Sequence, residues 1–137
     1  MAIDYGDART GVAVSDLSAA LTGDAWVIHS RNANKTAADI IEEAQKRDVS
    51  CIVVGYPKNM NGTIGPRAEK SDQFAGLLRS LCDPLSNFDI KLWDERLTTM
   101  SAHRVLTDTG KFGKKRKDTV DAVAASLILE NYLASLK

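Results

Sequence analysis

Apolar and polar positions along the chain follow two rhythms. Ala2-Ile3-Asp4-Tyr5-Gly6 reads as a short strand, Asp7 to Thr10 as a turn, and Gly11-Val12-Ala13-Val14-Ser15 as the returning strand of a hairpin. Ala25 to His29 reads as a third strand. From Asn34 to Arg47 the spacing turns helical, with Ile40, Ile41 and Ala44 on one side and Glu42, Glu43 and Lys46 on the other. Ser50 to Gly55 is an unbroken apolar run, the pattern of a strand covered on both faces. A polar loop from Tyr56 to Ile64 leads into a second helix, Gly65 to Cys82, whose apolar stripe is Phe74, Leu77, Leu78 and Leu81. Phe88 to Trp93 is the last strand. A short helix over Thr99–Leu106, a Gly- and Lys-rich loop over Thr109–Lys117 and a closing helix from about Asp118 to Ser135 complete the chain. The order βββ-α-β-α-β-α-α predicts an α/β fold, a mixed sheet with helices on its faces.

Composition narrows the class without naming it. A chain of 137 residues predicts one domain with a real core. Apolar residues at 44% and charged residues at 26% exclude a disordered tail or a low-complexity chain. Lys plus Arg and Asp plus Glu balance at 18 each, so any polyanion site must come from local clustering. No apolar run reaches the ~18 residues of a membrane span. A charge at Asp4 with no apolar stretch after it argues against a signal peptide. Only three residues precede Asp4, so Met1 reads as an internal methionine of a slightly longer chain. Cys51 and Cys82 lack metal or redox spacing and read as reduced core thiols of a cytoplasmic protein.

Three carboxylates stand out. Asp4 lies inside an apolar strand, where Asp is disfavoured and a buried charge is costly unless paired or metal-bound. Asp94-Glu95 follows the last strand, at the carboxyl end where sites gather in open α/β sheets. Asp121 shares a helix face with Ala124, Ala125 and Ile128, and is expected in that helix's first turn behind an Asp118 N-cap. Each also has an ordinary reading: a turn residue, a solvated strand end, a helix-dipole partner. Together they share a logic. Three converging acids repel strongly, and a divalent cation would offset that. Oxygen-only ligation without a His/Cys cluster points to Mg²⁺ or Mn²⁺, and two such ions can clamp a phosphodiester.

The run Lys111-Phe-Gly-Lys114-Lys115-Arg116-Lys117 is basic at five of seven positions and feeds into the Asp121 helix. Alone it reads as a solvated loop; beside an acidic cation site it suits a nucleic-acid substrate held through its phosphates. Arg9 and Arg96 are further cationic candidates, and Lys58 and Asn59 lie in a donor-rich loop that could reach the same backbone. Gly62 there is suited to a positive φ. His29 and His103 are isolated and receive no role.

Four blocks then form a recognisable set: Asp4-Tyr-Gly6 with Arg9-Thr-Gly-Val-Ala-Val-Ser-Asp16, Gly55-Tyr-Pro-Lys-Asn-Met-Asn-Gly62-Thr, Asp94-Glu-Arg-Leu-Thr-Thr99, and Val120-Asp-Ala-Val-Ala-Ala125. Over essentially the whole chain they resemble the YqgF family, also called RuvX, of the RNase H-like superfamily. The resemblance implies a five-stranded sheet in order 3-2-1-4-5 with strand two antiparallel to the rest. It also implies a nuclease that processes the 5′ end of precursor 16S ribosomal RNA, or a Holliday-junction resolvase. Asp4, Glu95 and Asp121 match that family's acids one by one. Strand periodicity does not choose between Asp94 and Glu95; the match favours Glu95. A symmetric junction would call for a homodimer.

Two other classes compete. One is a nucleic-acid-binding or ribosome-assembly member of the same fold that does not cut. The other rests on Asp4-x-Gly6-x₄-Gly11, which resembles the phosphate loop of sugar kinases and actin-like ATPases. Those proteins bind nucleotide between two such domains, and this length supplies one.

Overall fold

The computed structural model describes residues 1–16, 22–58, 61–82, 88–94 and 113–136, with the backbone alone for 113–118. Five strands form one sheet: β1 (Ala2–Asp4), β2 (Arg9–Ser15), β3 (Thr22–His29), β4 (Cys51–Tyr56) and β5 (Asp89–Asp94). Their spatial order is β3-β2-β1-β4-β5. β2 runs antiparallel to β1 and to β3, whereas β4 is parallel to β1 and to β5. Helix α1 (Ala33–Lys46) and helix α2 (Pro66–Leu81) bridge the parallel strands, and helix α3 (Gly113–Ser135) closes the described chain. This is the mixed sheet and strand order that the sequence blocks imply.

Strand alternation divides the apolar residues between two faces. Ile3, Val12, Ile52 and Val54 face α1 and α2, where Ile40, Ile41, Ala44, Phe74, Ala75 and Leu78 meet them. Ala2, Ala13 and Val53 face α3, against Ala125, Ile128, Leu129 and Leu133. The β4 run is apolar throughout because both its faces are covered. α1 begins where Asn32 caps it, its side chain accepting from the Lys35 amide. α2 opens with Pro66, whose missing N–H costs nothing in a first turn. Its buried face is Ala68, Ser71, Phe74, Ala75 and Leu78, while Leu81, expected in the apolar stripe, is exposed at the helix end.

The largest departure from the sequence expectation is at α3. The basic segment Lys114–Lys117, expected to be loop, is already helical, and the helix starts at Gly113. Lys and Arg are good helix formers, so a run of them opens a helix readily when the following turns are anchored. Asp118 is therefore inside the helix and not its N-cap, and Asp121 lies more than two turns in. The predicted helix over Thr99–Leu106 lies outside the described residues. Gly62 adopts the expected positive φ, 85°. Cys51 and Cys82 are both free thiols. Among the described residues no helix is long and apolar enough to cross a membrane.

α3 lies almost directly on the backbone of β2. A Cβ placed on Gly11 would overlap the Asp121 carbonyl oxygen. Only glycine lets strand and helix approach so closely, and this contact sets the height of Asp121 above the sheet. Gly11→Ala is expected to push the helix outward and cost roughly 1–3 kcal/mol. A urea melt compared with wild type measures this; an unchanged midpoint would show that the helix has room to spare.

Candidate active site

β1 is three residues long, and its last residue is Asp4. Ala2 packs against α3 and Ile3 against the opposite helices, so alternation turns Asp4 toward α3. Asp4 pairs with Gly11 across the antiparallel ladder. Gly11 in turn sits beneath Asp121. Two acids separated by 117 positions in the sequence thus meet at the carboxyl end of the central strand.

Their electrostatics are those of a crowded anionic site. The Asp4 carboxyl is raised from 3.8 to about 6, foremost by burial and next by the Asp121 charge, with the Arg67 guanidinium opposing the rise. The cause expected from the sequence, repulsion between acids, is therefore present but second to desolvation. Asp121 is held by Arg9, whose Nε donates to Oδ2 at 3.1 Å. Arg9 is the first residue of β2, two positions before Gly11, so it shares the face of Gly11 and Asp4. Thr10, between them, is buried on the other face, its hydroxyl donating to the Gly6 carbonyl at 3.4 Å.

The remaining sequence candidates divide. Asp94 ends β5 in the alternation of Ile90 and Leu92, which pack toward α1 and α2. Trp93 packs on the other face, against Tyr132 of α3, with ring centroids 5.6 Å apart and nearly perpendicular. Asp94 therefore does not share the face of Asp4. Glu95, Arg96 and Asn59 lie outside the described residues, as do the side chains of Lys114, Lys115, Arg116 and Lys117. Lys58 follows the carboxyl end of β4, and its ammonium lies 5.8 Å from the centre of the Tyr56 ring. Arg67 was not singled out by the sequence. It stands in the first turn of α2, and nothing but its charge distinguishes it from an ordinary surface residue.

Among the described residues no three His, Cys, Asp or Glu side chains gather as a metal site. The described part contributes two carboxylates, one half-buried and reluctant to ionise. That donor set fits a hard, oxygen-seeking divalent cation, which would offset both the burial cost and the mutual repulsion.

Comparison with known proteins agrees with this architecture. The family model described as "RuvX: Holliday junction resolvase" matches residues 1–135. A protein of Ruminiclostridium cellulolyticum named "Putative pre-16S rRNA nuclease" is 44% identical over 137 aligned positions, covering 97% of this chain and 92% of that protein. Proteins of the same name from Halothermothrix orenii and Thermoanaerobacter pseudethanolicus are each 42% identical; they cover 97% and 100% of this chain, and 92% and 96% of their own lengths.

Proposed function

The chain belongs to the RuvX family, and from that premise we propose that it is a single-domain, metal-dependent endonuclease that hydrolyses phosphodiester bonds in structured nucleic acid. Its proposed substrate is the 5′ end of precursor 16S ribosomal RNA, in the cytoplasm. The observation that carries the reading is the half-buried Asp4 facing Asp121 at the carboxyl end of the central strand. A kinase-like phosphate loop would instead require a second domain to close over nucleotide, and the family match spans one sheet.

Asp4 and Asp121 are the proposed cation ligands, with Glu95 as the third. Asp94 follows the alternation of Ile90 and Leu92, away from α3, and the family resemblance favours Glu95 over it. Mg²⁺ or Mn²⁺ held there, as one ion or two, would supply positive charge to the attacking and leaving oxygens of the phosphodiester. The residues themselves do the positioning. α3 and β2, in backbone contact at Gly11, fix the separation of the two acids. The short β1 ends at Asp4, which puts this carboxylate at the carboxyl end of the central strand. Arg9, Lys58, Asn59, Arg96 and the basic first turn of α3 are the proposed phosphate contacts.

Cleavage of labelled precursor 16S RNA and of a four-way DNA junction, each with Mg²⁺ and with Mn²⁺, tests the proposal. Cutting of the RNA at its 5′ end supports it. Cutting of the junction alone transfers the assignment to DNA recombination, the second reading, which the family description favours and for which a homodimer would place two sites across the junction. Binding without cutting of either would leave a non-catalytic member of the fold.

The placement of Lys114–Lys117 on a helix sharpens the expectation for them. Helical spacing spreads four consecutive basic residues around the axis, so no single groove can engage all of them. Neutralising Lys114, Lys115 and Lys117 together is expected to flatten the log–log salt dependence of RNA binding by only one or two contacts, each worth about 0.7–0.9. Fluorescence anisotropy across a salt series measures the slope; no change would make the run a solvated helix end.

A further inference from the structure

The ion pair between Arg9 and Asp121 poses a conflict. Asp121 cannot give the same oxygen fully to a guanidinium and to a divalent cation. The pair joins residues 112 positions apart, and its side chains are 36% and 20% exposed. A partly solvated pair of this kind is weak, in the range of 0–1 kcal/mol, and is easily exchanged. Arg9 also stands on the face and at the end of the sheet where Asp4 and Asp121 meet. Its planar fork suits phosphate once it is free to turn.

We propose that Arg9 is the displaceable counter-ion of Asp121: it yields the carboxylate oxygen to an incoming divalent cation and turns its guanidinium to a phosphate of the nucleic acid, so that metal and nucleic acid bind cooperatively. The proposal rests on the reading of Asp4 and Asp121 as cation ligands. No bond is made or broken; one charge partner replaces another on each side of Arg9. Cooperativity follows by linkage. Without the cation, nucleic acid must compete with Asp121 for Arg9, and without nucleic acid the cation must compete with Arg9 for Asp121. Each ligand removes the other's competitor.

Arg67 provides the control. Its charge acts on Asp4 through space, without an ion pair to Asp121 among those the structure shows. Any cation removed near an acidic site raises its affinity for metal, so the test must separate the general field from the specific exchange.

The experiment uses the full chain and two readouts that need no turnover. The first is thermal melting against Mn²⁺ concentration, which yields the affinity for metal. The second is anisotropy of a labelled RNA hairpin with and without Ca²⁺. Arg9→Gln is expected to tighten Mn²⁺ binding by about fivefold and Arg67→Gln by less than about twofold. In the wild type, Ca²⁺ is expected to strengthen hairpin binding about fivefold, the low end of typical couplings, and Arg9→Gln should abolish that gain. Arg9→Lys keeps the charge but loses the fork, and should fall between; it serves if Arg9→Gln folds poorly. Equal tightening by the two glutamines, or a Ca²⁺ effect retained in Arg9→Gln, overturns the exchange. Asp121→Asn reports on the premise separately. If it leaves the Mn²⁺ response unchanged, the acid pair is not the cation site, and the proposal falls with that reading.

Discussion

Asp121→Asn is expected to lower cleavage by about 10²–10³-fold or more, the scale of losing one preorganised electrostatic group, while the fold survives. Asparagine keeps the size of the side chain, and the neighbouring Ala125 and the Gly11 contact involve the helix backbone and apolar surface, which do not change. The charge goes, and with it most of the value of the group to a hard cation. Two stability effects oppose each other. The Arg9 pair is lost, worth about 0–1 kcal/mol at such exposure, and the repulsion that Asp121 exerts on Asp4 is lost as well. The melting temperature of the metal-free protein should therefore move by no more than about 4 °C in either direction. Cleavage and melting on one preparation, with and without Mg²⁺, check both halves. Wild-type cutting by the variant would remove Asp121 from the site.

Asp4→Asn is expected to stabilise the metal-free protein, and only at the upper end of the pH range. The sign follows from the direction of the shift. A carboxyl raised from 3.8 to about 6 binds its proton more tightly in the folded chain than in the unfolded one. Between those values folding takes up a proton, so this group's contribution falls as pH rises from about 4 to about 6. Above about 6 the full penalty is present, and at roughly 1.4 kcal/mol per unit it amounts to about 3 kcal/mol. Asparagine carries no such penalty at any pH. The gain of the variant should be greatest at pH 7 and above, and vanish below pH 4. Saturating Mg²⁺ should reverse it, because the wild type then gains a ligand that the variant holds poorly. Urea midpoints at pH 4, 5, 6 and 7.5, with and without Mg²⁺, test the pattern. A gain that is constant with pH would place its origin in packing rather than charge.

The sequence shows why some of this site is legible and some is not. Asp4 stands out because an acid between Ile3 and Tyr5 contradicts the strand around it, and the structure finds it half-buried with its carboxyl pushed upward. α1 and α2 fall within a residue or two of their expected bounds because each carries an apolar stripe on a polar helix. The start of α3 does not, because its first turn is made of Lys and Arg, which look the same on a solvated helix and in a loop. That error also displaced Asp121 from the third turn to the first. The Arg9–Asp121 pair is a contact between distant segments, and no local pattern announces it. Arg67 is equally silent, since a lone arginine in a first turn has no periodicity to break. Gly11 could be seen as a glycine in a strand, a known sign of close backbone approach, but which element approaches is a matter of topology.

The division of the acid pair between the first strand and the last helix has a consequence during synthesis. β1, β2 and β3 emerge early and can pair among themselves, and β4 can join them once α1 has been made. Asp121 arrives only with the final helix. A nascent chain stalled before it carries Asp4 without its opposing acid, and α3 is also the element that covers Ala2, Ala13 and Val53. Chains without α3 thus lack one of the two proposed cation ligands and carry bare apolar surface open to chaperones or proteases. For an enzyme whose proposed substrate is the RNA of the machine that is making it, the proposed acid pair comes together only once α3 has been made.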